Sequence, residues 1–237
     1  MASHTRTDSA ADEAAPDRRS RLRAWTRGEI KAAALGQLAE RGVEGISLNA
    51  IAKQLGMTGP ALYRYVGSRD QLLADLVVDA WEDLTDALER SAEESSGLSA
   101  AKRLGAIGLA YRAWARAQPH RYRLAIQTPL GSGELAPERV IPAAQRGMTV
   151  ILDAVERLPS TRKPRADPPA HLRAELDAWT ERVGGPRLAP AILPRGVTFW
   201  SRLHGLISLE LDRHLASMQL DPELLYRAEL AELGGDT

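Results

Sequence analysis

The sequence predicts an all-α protein, and its composition and apolar spacing carry that prediction. Strand-forming aromatic residues are scarce, with one Phe and five Tyr among 237 residues, whereas Ala, Leu, Arg and Glu, which favour helices, dominate the chain. Apolar residues recur at helical spacing between breaks that contain Gly, Pro or Ser. The length suffices for one large domain or two smaller ones.

The composition of the first residues and the absence of cysteine indicate in which cellular compartment the protein is expected. Residues 1–20 are polar, Ala-rich and acidic, so we expect a disordered tail without the apolar core of a secretory signal. No apolar run approaches the roughly 20 residues that span a bilayer, so no membrane association is predicted. Cysteine is absent, which excludes disulfides and thiolate metal sites and favours a cytoplasmic protein.

A first helix is predicted over residues 26–41, and N-cap residues mark the starts of three further helices. Ser47 is the expected N-cap of the second helix, and Thr58 that of the third. Ser68 and Gln71 have the spacing of a capping box at the start of a long fourth helix. That helix carries a continuous apolar stripe and is long enough to bridge two parts of the protein.

Residues 47–72 have the spacing of a helix-turn-helix centred on Gly56. Ala52 is small enough for a close helix crossing, Gly56 supplies a left-handed turn residue, and Leu62 is expected to anchor the second helix to the core. This geometry presents one helix to the major groove of DNA. We therefore predict an N-terminal three-helix helix-turn-helix domain over residues 21–70.

Basic charge is concentrated around this motif. Residues 18–69 contain ten Arg or Lys and three acids, a net of +7, although the whole chain has a formal net charge of zero. Such a cluster is typical of a phosphate-binding surface, and a solvated basic face is the alternative. Four arginines form a basic arm before the predicted first helix, which either enters a minor groove or is simply solvated. They are Arg18, Arg19, Arg21 and Arg23.

The rest of the chain, residues 71–233, predicts a C-terminal helical domain. Helical patterns lie on either side of a loop over residues 128–137 and a Pro-rich basic linker over 159–169. The predicted helices cover a segment that ends near Pro119, a short segment with Tyr122 and Ile126, and residues 138–158, 169–183, 195–217 and 222–232. The helix over 195–217 has two apolar stripes and must therefore be covered on two faces.

Residues 26–90 resemble the DNA-binding domain of TetR-family transcriptional regulators. The resemblance rests on the block SLNAIAKQLGMTGPALYRYV, on the following SRDQLL, and on Leu62-Tyr63-Arg64 with Tyr65. Val66 replaces the usual Phe, and Arg69 replaces the usual Lys. A second resemblance, to the Trp-His-Gly subgroup of TetR C-terminal domains, rests on residues 199–205 and on 119–122.

The predicted DNA contacts follow from the geometry of a helix-turn-helix. Bases are read at the N-terminus of its second helix, whereas flanking groups bind the phosphates. The N-terminal residues are Thr58, Gly59, Pro60 and Ala61. Predicted phosphate contacts are Ser47, Lys53, Tyr63, Tyr65 and Arg69. Arg64 could reach either a guanine or a phosphate, and the alternative for Tyr63 is packing in the core.

The resemblance also implies a homodimer and a small-molecule effector. We expect residues 138–158 and the last strong helix to form a four-helix interface with a second copy, which would place two reading helices on one pseudo-palindromic operator. The candidate ligand pocket comes from the resemblance and not from a motif. Its candidate residues are Tyr111, Trp114, Tyr122, Trp200 and His204.

No catalytic or metal site is predicted. His204 and His214 are ten residues apart in the sequence, which is too far along a helix to share an ion, so a satisfied core or interface histidine is the simpler interpretation. Trp200 is likewise a core candidate as well as a ligand candidate. We therefore expect a ligand-responsive repressor with no cofactor and no enzymatic activity. The alternative is an architectural DNA-binding protein that recruits a protein partner.

Overall fold

The computed structural model describes residues 18–127, 137–159, 169–182 and 191–234, and within these ranges all regular structure is helical. This confirms the all-α prediction. The predicted tail up to residue 17, and most of the predicted loop and linker, lie outside the described residues. The chain divides into two compact units, of which the first ends at Gly67 and the second begins at Ser68. No helix within the described ranges is both long enough and apolar enough to cross a membrane.

The described residues of the first unit form three α-helices and one 3-10 turn. The helices are α1 (Arg18–Arg41), α2 (Leu48–Gln54) and α3 (Gly59–Tyr63), and the turn is Val43–Gly45. Its core forms where apolar residues of α1, spaced by four, meet the inner faces of α2 and α3. The buried side chains include Ile30, Ala34, Leu38, Ile46, Ile51, Ala52, Leu62 and Val66.

Helix α1 begins at Arg18, eight residues before the predicted start. The prediction of a basic arm ahead of the first helix is therefore wrong, because all four arginines lie within the first turns of α1 and are exposed. The reason is local: Arg, Leu and Ala are good helix formers, and no Pro or Gly interrupts them before Gly28. This segment buries no side chain, so apolar periodicity does not reveal it as a helix.

The second unit contains eight helices in its described residues. They are α4 (Arg69–Glu94), α5 (Ala100–Ala117), α6 (Pro119–Gln127), α7 (Pro137–Glu156), α8 (Ala170–Arg182), α9 (Ile192–Leu211), α10 (His214–Ser217) and α11 (Pro222–Gly234). Helix α4 is central and packs against α5, α6 and α7, while α9 packs against α7, α5 and α11. The stripe predicted for α4 is confirmed, because Leu72, Leu76, Val77, Ala80 and Leu84 are all buried.

The predicted helix over 195–217 is interrupted. Helix α9 ends at Leu211, and Arg213 adopts a left-handed conformation with φ of 62°, which no α-helix can continue. Arg123 donates hydrogen bonds to the Leu211 carbonyl at 3.2 Å and to Asp212 Oδ1 at 2.9 Å. A cation from α6 therefore satisfies a carbonyl group at the end of α9, which is a long-range contact that sequence periodicity does not show.

The two apolar stripes predicted for this helix are replaced by one buried face of α9. It carries Phe199 and Leu203 of one predicted stripe and Ile207 of the other, together with Ile192 and Gly196. Trp200 and His204 flank this face and are half-buried, whereas Leu209 is 41% exposed. One side of α9 is thus covered within its own chain.

Helix α7 also packs within its own chain, against α4, α5 and α9. Arg139 forms an ion pair with Asp75 at 2.7 Å, and Arg146 lies 3.3 Å from Glu89. Both partner acids belong to α4. The expectation that residues 138–158 form part of an interface with a second copy stays a prediction.

We expect Gly56→Ala to lower the free energy of unfolding by about 1–2 kcal/mol, because Gly56 has a φ of 64° and a side chain is strained in that conformation. A Cβ at Gly56 would meet no atom within 4 Å, so the cost is conformational and not steric. The matched control is Gly28→Ala in the middle of α1, which should stabilise by about 0.5–1 kcal/mol. Urea denaturation of both variants measures the difference, and equal shifts would contradict it.

Candidate nucleic-acid interface and C-terminal cavity

Helix α2 is held at both ends by identifiable hydrogen bonds. Ser47 caps its start, and its hydroxyl oxygen accepts from the Ala50 N–H at 3.4 Å, as predicted. At the other end, Gly56 is left-handed and the Met57 N–H donates to the Ala52 carbonyl at 2.8 Å. This six-to-one bond beside a left-handed glycine is the Schellman arrangement, and it reverses the chain directly into the next helix.

The start of α2 is also fixed by a residue that sequence reasoning missed. Gln37 lies on the inner side of α1 and is 5% exposed. Its side-chain oxygen accepts a hydrogen bond from the Ser47 N–H at 2.8 Å. Because a buried amide needs a partner, this bond ties the first turn of α2 to α1. The only signal in the sequence is a polar residue beside the apolar stripe of α1.

The N-terminus of α3 is capped and accessible. Thr58 is exposed, and its hydroxyl oxygen accepts from the Ala61 N–H at 3.4 Å, which confirms the predicted cap. Pro60 is exposed, while Gly59 and Ala61 are half-exposed. Leu62, in the same helix, is 1% exposed and faces the core. The four predicted base-reading residues thus form one accessible end of a helix whose other side is buried.

The remaining predicted contacts of the first unit lie at or near the surface. Tyr63 is 53% exposed, which excludes the alternative of core packing. Lys53 and Arg64 are exposed, and Ser47 and Tyr65 are half-buried. The first unit therefore presents two cations and two phenol groups on or beside α2 and α3.

Tyr65 contributes through its backbone as well. Its carbonyl accepts a hydrogen bond from Arg27 Nε of α1 at 3.1 Å. This contact ties the residues after α3 to α1, thirty-eight positions earlier in the chain. The sequence places Arg27 only within the basic cluster, and no sequence pattern identifies this partner.

Arg69 belongs to the second unit and is the first residue of α4. Ser68 caps this helix, and its hydroxyl oxygen accepts from the Gln71 N–H at 3.0 Å. The Arg69 side chain is 34% exposed, and one guanidinium nitrogen lies 3.9 Å from Asp70. Its positive charge is therefore partly compensated by its neighbour.

The second unit contains a cavity of about 550 Å³. Side chains of α4, α5, α6, α7, α8 and α9 line it, and they include Trp81, Tyr111, Gln145, Met148, Trp179 and Trp200. Two of the five predicted pocket residues, Tyr111 and Trp200, are among them. The other three predicted residues do not line the cavity.

Trp114, Tyr122 and His204 lie beside the cavity, where each of them makes a hydrogen bond. Trp114 is 7% exposed, and its indole N–H donates to Asp83 at 3.0 Å. The Tyr122 hydroxyl lies 2.6 Å from His204 Nδ1 and 2.9 Å from the Ser208 hydroxyl, and it donates to the His204 carbonyl at 3.1 Å. The His204 ring stacks on Trp200, with ring centroids 5.5 Å apart and an interplanar angle of 8°.

Burial shifts the pKa of Tyr122 and the pKa of His204 in the directions that favour the neutral form of each group. Burial raises the pKa of Tyr122 to about 12, so its hydroxyl remains protonated. Burial also lowers the pKa of His204, which favours the neutral ring. Within the described residues no cluster of three or more His, Cys, Asp or Glu could hold a metal ion. The hydrogen bond to Tyr122 and the stack on Trp200 make His204 a satisfied histidine that supports Trp200, as the simpler sequence-based interpretation predicts.

Comparison with known proteins agrees with this architecture. Residues 30–76 match the bacterial regulatory proteins of the tetR family, and residues 104–233 match the tetracyclin repressor-like C-terminal domain. The HTH-type transcriptional regulator Rv1816 of Mycobacterium tuberculosis is 32% identical, over 85% of this chain and 88% of that protein. The crystal structure of the protein SCO4313 is 40% identical with a TM-score of 0.76, and covers 93% of this chain and 100% of that chain.

A more distant structure shares only the fold. The FadR regulator of Bacillus subtilis, solved in complex with stearoyl-CoA, is 14% identical with a TM-score of 0.54, and covers 87% of this chain and 96% of that chain. The capped helix-turn-helix and the helical second unit define a DNA-binding transcriptional regulator. The chain belongs to the tetR family of bacterial regulatory proteins.

The family assignment bears on two further sequence-based predictions, that the protein is not an enzyme and that its C-terminal domain belongs to a Trp-His-Gly subgroup. Its relatives are transcriptional regulators, so the prediction that the protein is not an enzyme is confirmed. The finer resemblance to a Trp-His-Gly subgroup stays a prediction.

We expect the half-buried His204, whose neutral form is favoured, to make stability depend on pH in a defined direction. Its pKa is lowered in the folded state, so below the ordinary histidine pKa of about 6.5 the unfolded chain binds the proton more readily. The contribution is present above that pH and is lost as the pH falls. His204→Asn should therefore lose less stability than the unmodified protein between pH 7.5 and 5.5.

Denaturant unfolding at the two pH values measures this difference. The control is His120→Asn, which changes an exposed histidine on α6 and should retain the full dependence on pH. If all three proteins lost the same stability on acidification, His204 would not be the group responsible.

Proposed function

We propose that the protein is a transcriptional repressor that binds a pseudo-palindromic operator as a homodimer and responds to a small molecule. The observation that supports DNA reading most directly is the accessible, capped N-terminus of α3. Thr58 satisfies one backbone N–H there, and Leu62 holds the opposite side of the helix in the core. A bacterial regulator of this kind acts on chromosomal DNA in the cytoplasm.

The side-chain chemistry of the exposed residues suggests which of them contact bases and which contact phosphates. The side chains of Gly59, Pro60 and Ala61 have no hydrogen-bonding group, so these residues suit close approach to the groove and contact with thymine methyl groups. The Tyr63 and Tyr65 hydroxyls, with Ser47, Lys53 and Arg69, supply donors for phosphates. Arg64 is exposed and can serve either a guanine or a phosphate.

The outer side of α9 supports pairing with a second copy. Thr198, Ser201, Gly205 and Leu209 follow one another at helical spacing on the side away from the buried face, and three of them are exposed. Small residues let a second helix approach closely, and Leu209 adds an apolar side chain that is 41% exposed. The neighbouring α11 carries Leu224, which is 67% exposed. We therefore place the dimer contact on α9 and α11.

The cavity supports a response to a ligand. Its volume of about 550 Å³ lies within the range of small-molecule sites, and α4, the helix that follows the first unit in the chain, forms part of its wall. A ligand that binds more tightly to a conformation with widely spaced reading helices would shift the population away from the DNA-bound form.

Selection of bound DNA from a random pool with the purified protein tests the proposed function. We expect an enriched pseudo-palindrome whose half-sites lie about 34 Å apart, one turn of B-DNA. Enrichment of a single half-site would contradict a dimeric reader. The alternative of an architectural protein is not favoured, because the curated relatives are transcriptional regulators. Genome-wide binding at many dispersed sites, and not at a few promoters, would instead support the architectural alternative.

The double substitution Tyr63→Phe with Arg69→Ala should weaken binding to all DNA sequences by a similar factor. Both groups are assigned to phosphates, but only the loss of the Arg69 cation should reduce the slope of log affinity against log salt, by about 1, because a neutral hydroxyl displaces no counterion. Fluorescence anisotropy with operator and with random DNA, at several salt concentrations, measures both effects. The control is Arg90→Ala, an exposed arginine in the second half of α4. An unchanged affinity would contradict the phosphate assignments.

Gly205→Arg should convert the dimer to a folded monomer. A Cβ at Gly205 meets no atom within 4 Å of the same chain, so an isolated subunit has room for the added side chain. At a close helix–helix contact between copies it would clash. The matched control is Gly105→Arg on α5, another helical glycine with open space around it. Analytical ultracentrifugation measures the mass, and a Gly205→Arg protein that remained dimeric would contradict the proposed interface.

A further inference from the structure

The first three turns of α1 carry a positive charge that the core of the first unit does not use. Residues 18–28 contain five arginines and no acid, between Asp17 and Glu29. The first buried residue of α1 is Ile30, so the turns before it contribute no side chain to the core. All five arginine side chains are exposed, namely those of Arg18, Arg19, Arg21, Arg23 and Arg27.

Three of these arginines continue the core-facing side of α1. Residues seven positions apart on an α-helix lie on the same side. Arg23 precedes Ile30 by seven positions and Arg27 precedes Ala34 by seven, and both Ile30 and Ala34 are 0% exposed. Arg19 lies about one turn before Arg23. Arg19, Arg23 and Arg27, here called the arginine row, therefore extend the buried side of the helix past the end of the core.

One end of the arginine row is fixed beside the candidate reading helix. Arg27 Nε donates to the carbonyl of Tyr65 at 3.1 Å, and Tyr65 lies two positions after the last residue of α3. Because an α-helix rises 1.5 Å per residue, Arg23 and Arg19 lie roughly 6 and 12 Å further along α1. The row thus begins next to a residue assigned to phosphate contact and continues beyond α2 and α3.

The arrangement of charge in the row favours a polyanion as its partner. Like charges four positions apart on a helix repel each other, so the row is unfavourable in the free protein. Phosphates would relieve this repulsion, and a guanidinium group can bind a phosphate through two parallel hydrogen bonds. The DNA backbone is a polyanion that already lies beside Tyr65 in the proposed function.

We propose that Arg19 and Arg23 of the arginine row bind DNA phosphates outside the half-site that α3 reads, about two for each subunit. This inference rests on the proposed function, because it extends the same DNA contact. A guanidinium on a phosphate carries no base information, so the row adds affinity without adding sequence preference. The row belongs to a helix and not to an extended arm, and it therefore lies on the phosphate backbone and does not follow the floor of a minor groove.

The double substitution Arg19→Gln with Arg23→Gln tests this contact, since Gln has a helix propensity close to that of Arg. Each lost phosphate contact lowers the slope of log affinity against log salt by about 0.9, so the slope should fall by about 2 for each bound subunit. The affinity advantage of the unmodified protein should then shrink about tenfold per subunit between about 50 and 200 mM salt. Fluorescence anisotropy with the full-length protein should show the same change for operator and for random DNA.

The matched control removes two charges from the same turns but from another side of the helix. Arg18 precedes Trp25 by seven positions and Arg21 precedes Gly28 by seven, and both Trp25 and Gly28 are exposed. Arg18→Gln with Arg21→Gln should lower the slope less than half as much. Equal slopes for the two variants would overturn the row in favour of a diffuse positive field.

A second variant separates charge from helix structure. Arg19→Lys with Arg23→Lys keeps both cations and should keep the slope of the unmodified protein. Far-UV circular dichroism checks that all variants retain the same helix content. A slope that did not change in Arg19→Gln with Arg23→Gln, or that fell equally in the Lys variant, would overturn the proposal.

An anionic membrane surface is the other partner that a basic helix with exposed apolar side chains can fit. Leu22 and Trp25 are 58% and 64% exposed. Trp25 lies about 200° around the helix from Arg23, however, so the indole and the arginine row do not face one flat surface. The unmodified protein should stay in the supernatant when phosphatidylserine vesicles are sedimented. Sedimentation with the vesicles that Arg19→Gln and Arg23→Gln abolished, with the DNA slope unchanged, would overturn the assignment to DNA.

Selection of DNA from a random pool separates this inference from the proposed function. If a pseudo-palindrome is enriched but the substitutions in the row leave the salt slope unchanged, the regulator stands and the row assignment fails. If no palindrome is enriched but the slope on random DNA falls by the expected amount, the row binds phosphates and the proposed operator reading fails.

Discussion

A helix of five residues cannot form on its own in water, and the proposed DNA-reading surface of this protein depends on the contacts that hold α3 in place. Gly56 reverses the chain, Thr58 caps the helix, and Leu62 places one side of it in the core. Arg27 then ties the backbone after α3 to α1 through the Tyr65 carbonyl. Because these contacts immobilise the backbone, the residues at the exposed end need no strong side-chain chemistry of their own to be presented to DNA.

A buried ion pair plays the corresponding role in the second unit. Arg112 of α5 binds Glu210 of α9 through two parallel hydrogen bonds of 2.7 and 2.8 Å, and it also lies 3.4 Å from Glu223 of α11. The side chains of Arg112 and Glu210 are only 8% and 13% exposed, so removal of either partner would leave a buried charge at a cost of about 3–5 kcal/mol. Tyr111 precedes Arg112, and Trp200 lies on the same helix as Glu210. The ion pair therefore fixes two helices that form the wall of the cavity.

The confirmed predictions of local structure depend on chemistry between near neighbours. The caps at Ser47, Thr58 and Ser68 and the left-handed turn at Gly56 each involve residues within a few positions of one another, so a sequence pattern contains the whole interaction. The features that sequence reasoning missed join residues far apart. Arg123 binds the end of α9 from eighty-eight positions away, and Gln37 fixes α2 from α1. The early start of α1 is an exception, since helix propensity alone would have placed it.

Helix periodicity, caps and net charge are properties of neighbouring residues, and for that reason the helical class, the reading motif and the basic charge around it follow from the amino-acid sequence alone. Which aromatic residues enclose a cavity is settled by the packing of the helices. Tyr111 and Trp200 line it. Beside it, Trp114 forms a hydrogen bond with Asp83, and Tyr122 forms one with His204. The side of a helix that faces a void, and the partner that a buried polar group finds, depend on how several helices pack together, and no single segment of the chain contains that information.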